Sequence, residues 1–135
     1  MTVRKISHRL LLGIILMAAS CGKSEKTDDG MIAAHAAKLY YENLIRGKGD
    51  QVLDGTDMPD TIPDDYRRQL LKNFEQFCVR QKEEHKGIDS VSINHAEFFE
   101  KDSTASVFLL LHFGDSTTEQ IVVPMLKKKG LWIMR

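Results

Sequence analysis

Two histidines lie in stretches of the sequence that are otherwise rich in apolar residues, and they are the first candidates for chemistry. His95 and His112 fall in predicted strands, and His112 shares its alternation with Phe108 and Leu110. A histidine titrates near neutral pH and can serve as a general base when a pocket holds it. No carboxylate stands at a spacing that pairs with either ring, so the sequence favours a structural role for both.

Metal and cofactor chemistry has less support. The histidines give no ligand pair at i, i+4 or two-residue spacing, and the aspartates of residues 54–65 lack the alternating order of a calcium loop. We therefore predict no metal site and no cofactor. Tyr40, Trp132, His95 and His112 are candidates for lining a ligand pocket, although aromatic residues at this spacing are more simply part of a core.

The cysteine near the amino terminus has the most specific chemical context. Arg4, Lys5 and Arg9 precede a largely apolar run at residues 10–19, and small residues then lead to Cys21. This is the layout of a secretory signal peptide. A transmembrane anchor is disfavoured, because ten residues of helix span only about 15 Å, half the hydrocarbon thickness of a bilayer. A thiolate at this position is a nucleophile that could take a lipid.

The segment Ala18-Ala19-Ser20-Cys21 resembles the lipobox of bacterial lipoproteins. The resemblance implies that signal peptidase II cuts between Ser20 and Cys21, that Cys21 carries a diacylglyceryl thioether, and that its new amino group is acylated. Two or three acyl chains anchor a protein stably, whereas one does not. We therefore predict an exported protein that is lipid-anchored to the cell membrane. The outer membrane is favoured, and the periplasmic and surface faces both remain open.

Three regions follow from this interpretation: a signal peptide at 1–20, a flexible polar tether at 21–30, and one folded domain at 31–135. Three of the 19 basic residues and none of the 19 acidic ones lie in residues 1–20, so the remainder carries a net charge near −3. That charge gives no electrostatic footprint for nucleic acid. Cys78 would be the one remaining thiol, and its place on the apolar face of a predicted helix indicates a small buried side chain.

Hydrophobic periodicity predicts two helices followed by four strands in an antiparallel meander, which is an α+β fold. The strand at 104–113 is apolar on both faces, so we expect the sheet to be covered on both. Helices would cover one face, and a partner subunit or a cavity the other. Pro124 indicates an edge position or a bulge. The predicted segments are helices at 31–46 and 63–85, a loop at 50–62, and strands at 88–99, 104–113, 118–126 and 130–135.

This order of segments, with Gly49-Asp50 after the first helix and Lys129-Gly130-Leu131-Trp132 in the last strand, resembles a family of small Gram-negative envelope lipoproteins. Their domain is cystatin-like and belongs to the nuclear transport factor 2-like superfamily. The resemblance implies two amino-terminal helices packed on a curved four-strand sheet that forms a cone. It implies no reaction, because the superfamily includes both ketosteroid-isomerase-like enzymes and non-catalytic binding modules.

The function we predict from the sequence is a non-catalytic module that binds a ligand or another envelope protein. The alternative is a small enzyme of the ketosteroid-isomerase-like type that uses His112 or His95 inside the cone. Homodimerisation through the sheet is a third expectation.

Overall fold

The computed structural model describes residues 29–135, in which three helices precede four strands. The signal peptide, the lipobox with Cys21, and most of the predicted tether lie outside the described residues. Within residues 29–135, no helix combines the length and the apolar character that crossing a bilayer requires. The elements are α1 (Asp29–Ile45), α2 (Gly49–Asp54), α3 (Asp64–His85), β1 (Ile88–Phe99), β2 (Thr104–Phe113), β3 (Thr118–Lys128) and β4 (Leu131–Met134).

The strands form one antiparallel sheet in the order β1-β2-β3-β4, so the predicted α+β meander on a curved sheet is confirmed. Two register shifts in β1, at 88–90 and 93–95, interrupt its pairing with β2. Such bulges bend a strand and increase its twist, which helps to curve the sheet. Pro124 pairs with Ser106 of β2 on one side, and on the other its carbonyl oxygen accepts from the Arg135 amide at 3.0 Å, just past β4. It therefore lies where the pairing of β3 with β4 ends, and not on an edge strand as predicted.

The first half of helix α1 packs on the inner face of the sheet through small residues. Ala33, Ala34 and Ala37 are fully buried, and opposite them Leu109 and Met125 are fully buried as well. Short side chains allow a helix to approach a sheet closely, and close-packed interiors leave few voids. The space between α1 and the sheet is therefore filled by core side chains.

Helix α2 corrects the predicted loop at 50–62, whose first five residues are helical. Val52 and Leu53 are almost completely buried, at 3% and 4% exposure, so burial of this apolar pair stabilises a turn of helix within a stretch rich in glycine and aspartate. The chain then forms a bridge to β4, between Thr56 and Met134.

Helix α3 carries no buried residue along its 22 residues. Its apolar stripe is half-exposed, and Cys78 is half-buried instead of buried as predicted. Polar contacts hold the helix near both of its ends. Near its start Arg67 forms an ion pair with Asp50 of α2, at 2.8 Å, and just beyond its end Gly114 N donates to Gly87 O at 2.9 Å.

The outer face of the sheet is not covered by any described residue. Along β2 the residues alternate between buried and half-buried, and Val122 of β3 is 54% exposed on the outer face. The expectation that both faces are covered is therefore not met within residues 29–135. Phe108 and Leu110, which led to that expectation, are half-buried on this outer side.

The carboxylate of Asp115 connects the β2–β3 turn to the end of α3. It accepts hydrogen bonds from the Thr117 hydroxyl at 2.5 Å and the Thr117 amide at 3.0 Å, and it lies 3.0 Å from Nδ1 of His85. These hydrogen bonds, with the Thr117 hydroxyl first, lower the pKa of Asp115 from 3.8 to about 2.

The depressed pKa makes a pH-dependent contribution to stability. A carboxyl whose pKa is lower in the folded state stabilises the fold above its unfolded pKa, and that stability is lost as the pH falls through the folded value. We expect Asp115→Asn to have a lower melting temperature than wild type at about pH 5. The difference between the two melting temperatures should shrink towards about pH 2. Thermal melts across that range test this, with the exposed Asp102→Asn as a control that shows no such convergence. A gap that stays constant over the range would contradict the assignment.

Candidate functional site

A groove of about 440 Å³ opens between the end of α1, the start of α2 and one side of α3. We call it the α1–α3 groove. Its volume lies within the range of about 300–1,000 Å³ that is usual for small-molecule sites. Leu44 and Ile45 of α1 face α3 across it, and charged groups stand among the apolar ones. The lining residues of α3 are Leu71, Phe74, Glu75, Cys78, Val79 and Lys82, and those of the turn into α2 are Gly47, Gly49 and Asp50.

Two glycines allow the chain to turn at the head of this groove. Gly47 has a φ of 75°, in the left-handed region that glycine adopts without strain. Gly49 lies so close to α3 that an added Cβ would stand 2.9 Å from Cδ2 of Leu71. The absence of a side chain at Gly49 therefore sets how near α2 comes to α3.

Cys78 joins the two walls of the groove. Its thiol donates a hydrogen bond to the carbonyl oxygen of Leu44 at 3.3 Å. Burial raises the pKa of the Cys78 thiol, which keeps it protonated and poorly nucleophilic at neutral pH. Cys78 consequently acts as a structural contact in the groove and not as a reactive group.

The groove continues along α3 towards β1. A second opening of about 220 Å³ shares Ile45, Cys78 and Lys82 with the first and reaches Ile88 at the start of β1. Together the two openings form one elongated depression, with Lys82 at their junction. An elongated site with apolar walls and a few charged groups suits an elongated, mainly apolar ligand.

The four residues predicted to line a pocket lie on opposite faces of the sheet and do not share one cavity. Tyr40 and Trp132 are on the inner side, where the Tyr40 hydroxyl donates to the Trp132 carbonyl oxygen at 2.8 Å. Burial raises the pKa of Tyr40, so this hydroxyl stays protonated as a donor that ties α1 to β4. The indole nitrogen of Trp132 is buried and has no hydrogen-bond partner among the described residues.

His95 and His112 project from the outer face of the sheet, away from α1. The ring of His95 stacks on Phe108 with centroids 4.1 Å apart, and Nε2 of His112 lies 2.7 Å from the hydroxyl oxygen of Ser92. A serine and a histidine in contact form the first two members of a nucleophilic triad, which needs a third group to orient the imidazole. Within residues 29–135 no carboxylate hydrogen-bonds to the other ring nitrogen of His112.

Sequence reasoning weighed aromatic residues such as Phe74 as pocket-lining but favoured the core for them, and it did not single out the other groove residues of α3. A signal was present in the first half of α1, whose buried residues are all small: Gly30, Ala33, Ala34 and Ala37. Such a face lets α1 lie flat on the sheet and take up the inner surface, which leaves α3 at the side. Among the described residues, no cluster of three histidine, cysteine or acidic side chains could hold a metal ion.

Comparison with known proteins supports the class of fold. No protein-family model matches this chain, and no curated protein matches it either. Among solved structures, it is similar to a Campylobacter jejuni protein proposed to be an NTF2-like transpeptidase, with a TM-score of 0.59 and 17% identity. The match covers 73% of this chain and 92% of that one. The chain therefore has an NTF2-like α+β fold, where NTF2 stands for nuclear transport factor 2.

Proposed function

We propose that this chain is an exported, lipid-anchored binding module whose α1–α3 groove takes an elongated, mainly apolar ligand. The observation that carries the proposal is the position of the opening. The groove lies beside α3, on a fold whose helix-to-sheet interior is filled. Apolar surface left open in a groove of this size is typical of a site that binds.

The composition of the interior supports binding over catalysis. Among the described residues, the buried side chains are apolar except for Asn43, which is 8% exposed. A general base must reach the proton that it abstracts inside a pocket. His95 and His112 instead lie on the outer face, where the described residues form no enclosing wall.

The residues that line the α1–α3 groove indicate the chemistry of the ligand. Leu71 and Phe74 offer apolar contact, and Asp50 at the head of the groove is already paired with Arg67. Lys82 stands where the two openings meet, so a polar or anionic group on the ligand would lie best there. The lipid anchor at Cys21 rests on the sequence, and it would keep this module at a membrane where apolar ligands are abundant.

Native mass spectrometry of the protein released from its own membrane with mild detergent tests the groove. We expect an adduct beyond the lipidated mass. Leu71→Asn should remove that adduct, because it places an amide on the apolar wall. Leu39→Asn is the matched control, since Leu39 is 51% exposed on α1 and does not line the groove. Wild type without any adduct, or an adduct that survives Leu71→Asn, would refute a ligand in the groove.

The contact between Ser92 and His112 gives the enzyme alternative its one specific support, and His112→Ala separates the two functions. For a binding module we expect His112→Ala to retain the adduct. Its free energy of unfolding should fall by about 1 kcal/mol, the usual value of one partly exposed hydrogen bond. Thermal melts and native mass spectra of wild type and His112→Ala measure both. Accumulation of unreacted ligand in the variant, whatever its melting temperature, would favour the enzyme.

A further inference from the structure

One end of the domain collects the start of α1, the β1–β2 turn and the β3–β4 turn, and we call it the tether end. Lys127 ties the three together. Its ammonium lies 3.0 Å from the carboxylate of Asp29, the first described residue, and its amide donates to the Ser103 carbonyl oxygen at 2.8 Å. Segments far apart in sequence thus meet at the point where residues 21–28 join the domain.

Exposed apolar side chains concentrate at this end. The described residues include nine large apolar side chains that are exposed, and five of them lie here. Leu131 at the β3–β4 turn is 69% exposed, and Phe99 beside the β1–β2 turn is 45% exposed. Exposed apolar side chains gathered at one end of a domain mark a contact with another phase or partner. The five residues are Met31, Ile32, Phe98, Phe99 and Leu131.

The length of chain before α1 indicates what meets this surface, and this step rests on the proposed lipid anchor at Cys21. Only residues 22–28 separate Cys21 from Asp29. Eight residue steps reach at most about 27 Å when fully extended, and a flexible chain of that length averages about 16 Å end to end. A lipid at Cys21 therefore holds the tether end closer to the bilayer than the opposite end of the domain.

We propose that the tether end docks on the lipid surface by inserting Leu131, Phe99 and the first turn of α1 at the headgroup boundary. Apolar side chains at an interface bind in proportion to the apolar area that they bury. Electrostatic attraction contributes little to this docking, because the charges at the tether end largely cancel. Lys127 is paired with Asp29 and Lys128 with Asp57, and Glu100 and Asp102 offset Lys101 and Lys129. Docking should therefore resist salt, unlike the binding of a basic patch.

Trp132 is a built-in reporter for this contact. It is the single tryptophan of the chain, it follows Leu131 directly, and its ring meets Phe98 edge-on with centroids 5.9 Å apart. Bromine atoms on lipid acyl chains quench tryptophan emission only at short range. Trp132 is only 5% exposed and lies beneath this surface. We therefore expect the lipidated mature chain to lose part of its Trp132 emission in vesicles of brominated phosphatidylcholine, compared with unbrominated vesicles, at both low and high salt.

Two variants with the same substitution make the test specific. Leu131→Glu should restore the emission, because it places a charge on the inserting turn. Leu39→Glu should remain quenched, because Leu39 is about 10 Å further along α1 than Ile32 at the helical rise of 1.5 Å per residue. Quenching that persists in Leu131→Glu, or that disappears at high salt, would overturn docking through these apolar residues.

The same samples separate a failure of docking from a failure of the anchor. A chain that stays on the vesicles with its lipidated mass but keeps full Trp132 emission is anchored and not docked, which refutes this inference alone. A chain that lacks the lipid mass and washes off the vesicles refutes the proposed anchor, and the inference falls with it.

Discussion

Gly55→Ala is expected to lower the free energy of unfolding by about 3 kcal/mol, because the new methyl group has no room. A Cβ at this position would overlap Cε1 and Cζ of the Tyr40 ring. The backbone of Gly55 cannot move away easily. Its amide donates to Gln51 at the end of α2, and its carbonyl oxygen accepts from Met134 of β4 at 2.9 Å. The Tyr40 ring must then shift and lose its hydrogen bond to Trp132.

Gly30→Ala is the matched control for that prediction. An added Cβ at Gly30 would meet its nearest neighbour, Cβ of Phe98, at an ordinary 3.6 Å. Alanine also favours the helix, so this variant should be neutral or more stable by up to about 1 kcal/mol. Thermal melts should show Gly55→Ala roughly 10 °C below wild type. A melting temperature for Gly55→Ala equal to that of Gly30→Ala would show that the α2–α1 contact is looser than the structure has it.

Cys21→Ala is expected to abolish lipidation of the protein completely. The proposed thioether would need the thiol of Cys21, and each buried CH₂ of an acyl chain contributes about 0.8 kcal/mol to membrane binding. The measurement is incorporation of labelled palmitate into the protein in cells of a bacterium with the lipoprotein pathway. Palmitate incorporation measures lipidation more specifically than membrane fractionation does, because an uncleaved signal peptide holds a protein at the membrane without any lipid.

Cys78→Ala is the control for palmitate labelling, since the chain has two cysteines. Cys78 is half-buried and its thiol donates to Leu44, so this variant should keep the full label. A label that persists in Cys21→Ala and disappears in Cys78→Ala would place the lipid on the wrong residue and would refute the proposed amino-terminal anchor.

The fold could be predicted from the sequence to within two residues at most boundaries, because long periodic segments determine it. Helix α3 was expected at 63–85 and lies at Asp64–His85. Helix α2 was not predicted because its six residues make less than two turns, which is too short for a helical periodicity to be recognised in the sequence. Only Val52 and Leu53 mark it, and their burial depends on tertiary contacts that the local pattern does not contain.

The site was harder to predict because alternation along a strand tells which residues share a face, and does not tell which face the helices cover. His112 was correctly grouped with Phe108 and Leu110, yet that group lies on the outer face. Tyr40 and Trp132 do meet, through a hydrogen bond in the core. The α1–α3 groove depends on how closely α1 approaches the sheet, and a spacing between elements is set by packing over the whole domain.

The lack of any buried residue on α3 implies that the domain has two levels of local stability. Segments with little buried apolar contact open at a lower free energy than the whole fold. Amide protons in the middle of α3 should therefore exchange with solvent through an opening that leaves β2 and α1 intact. A ligand that bound only the closed groove would draw its affinity partly from suppressing that opening, so occupancy and the order of α3 would rise together.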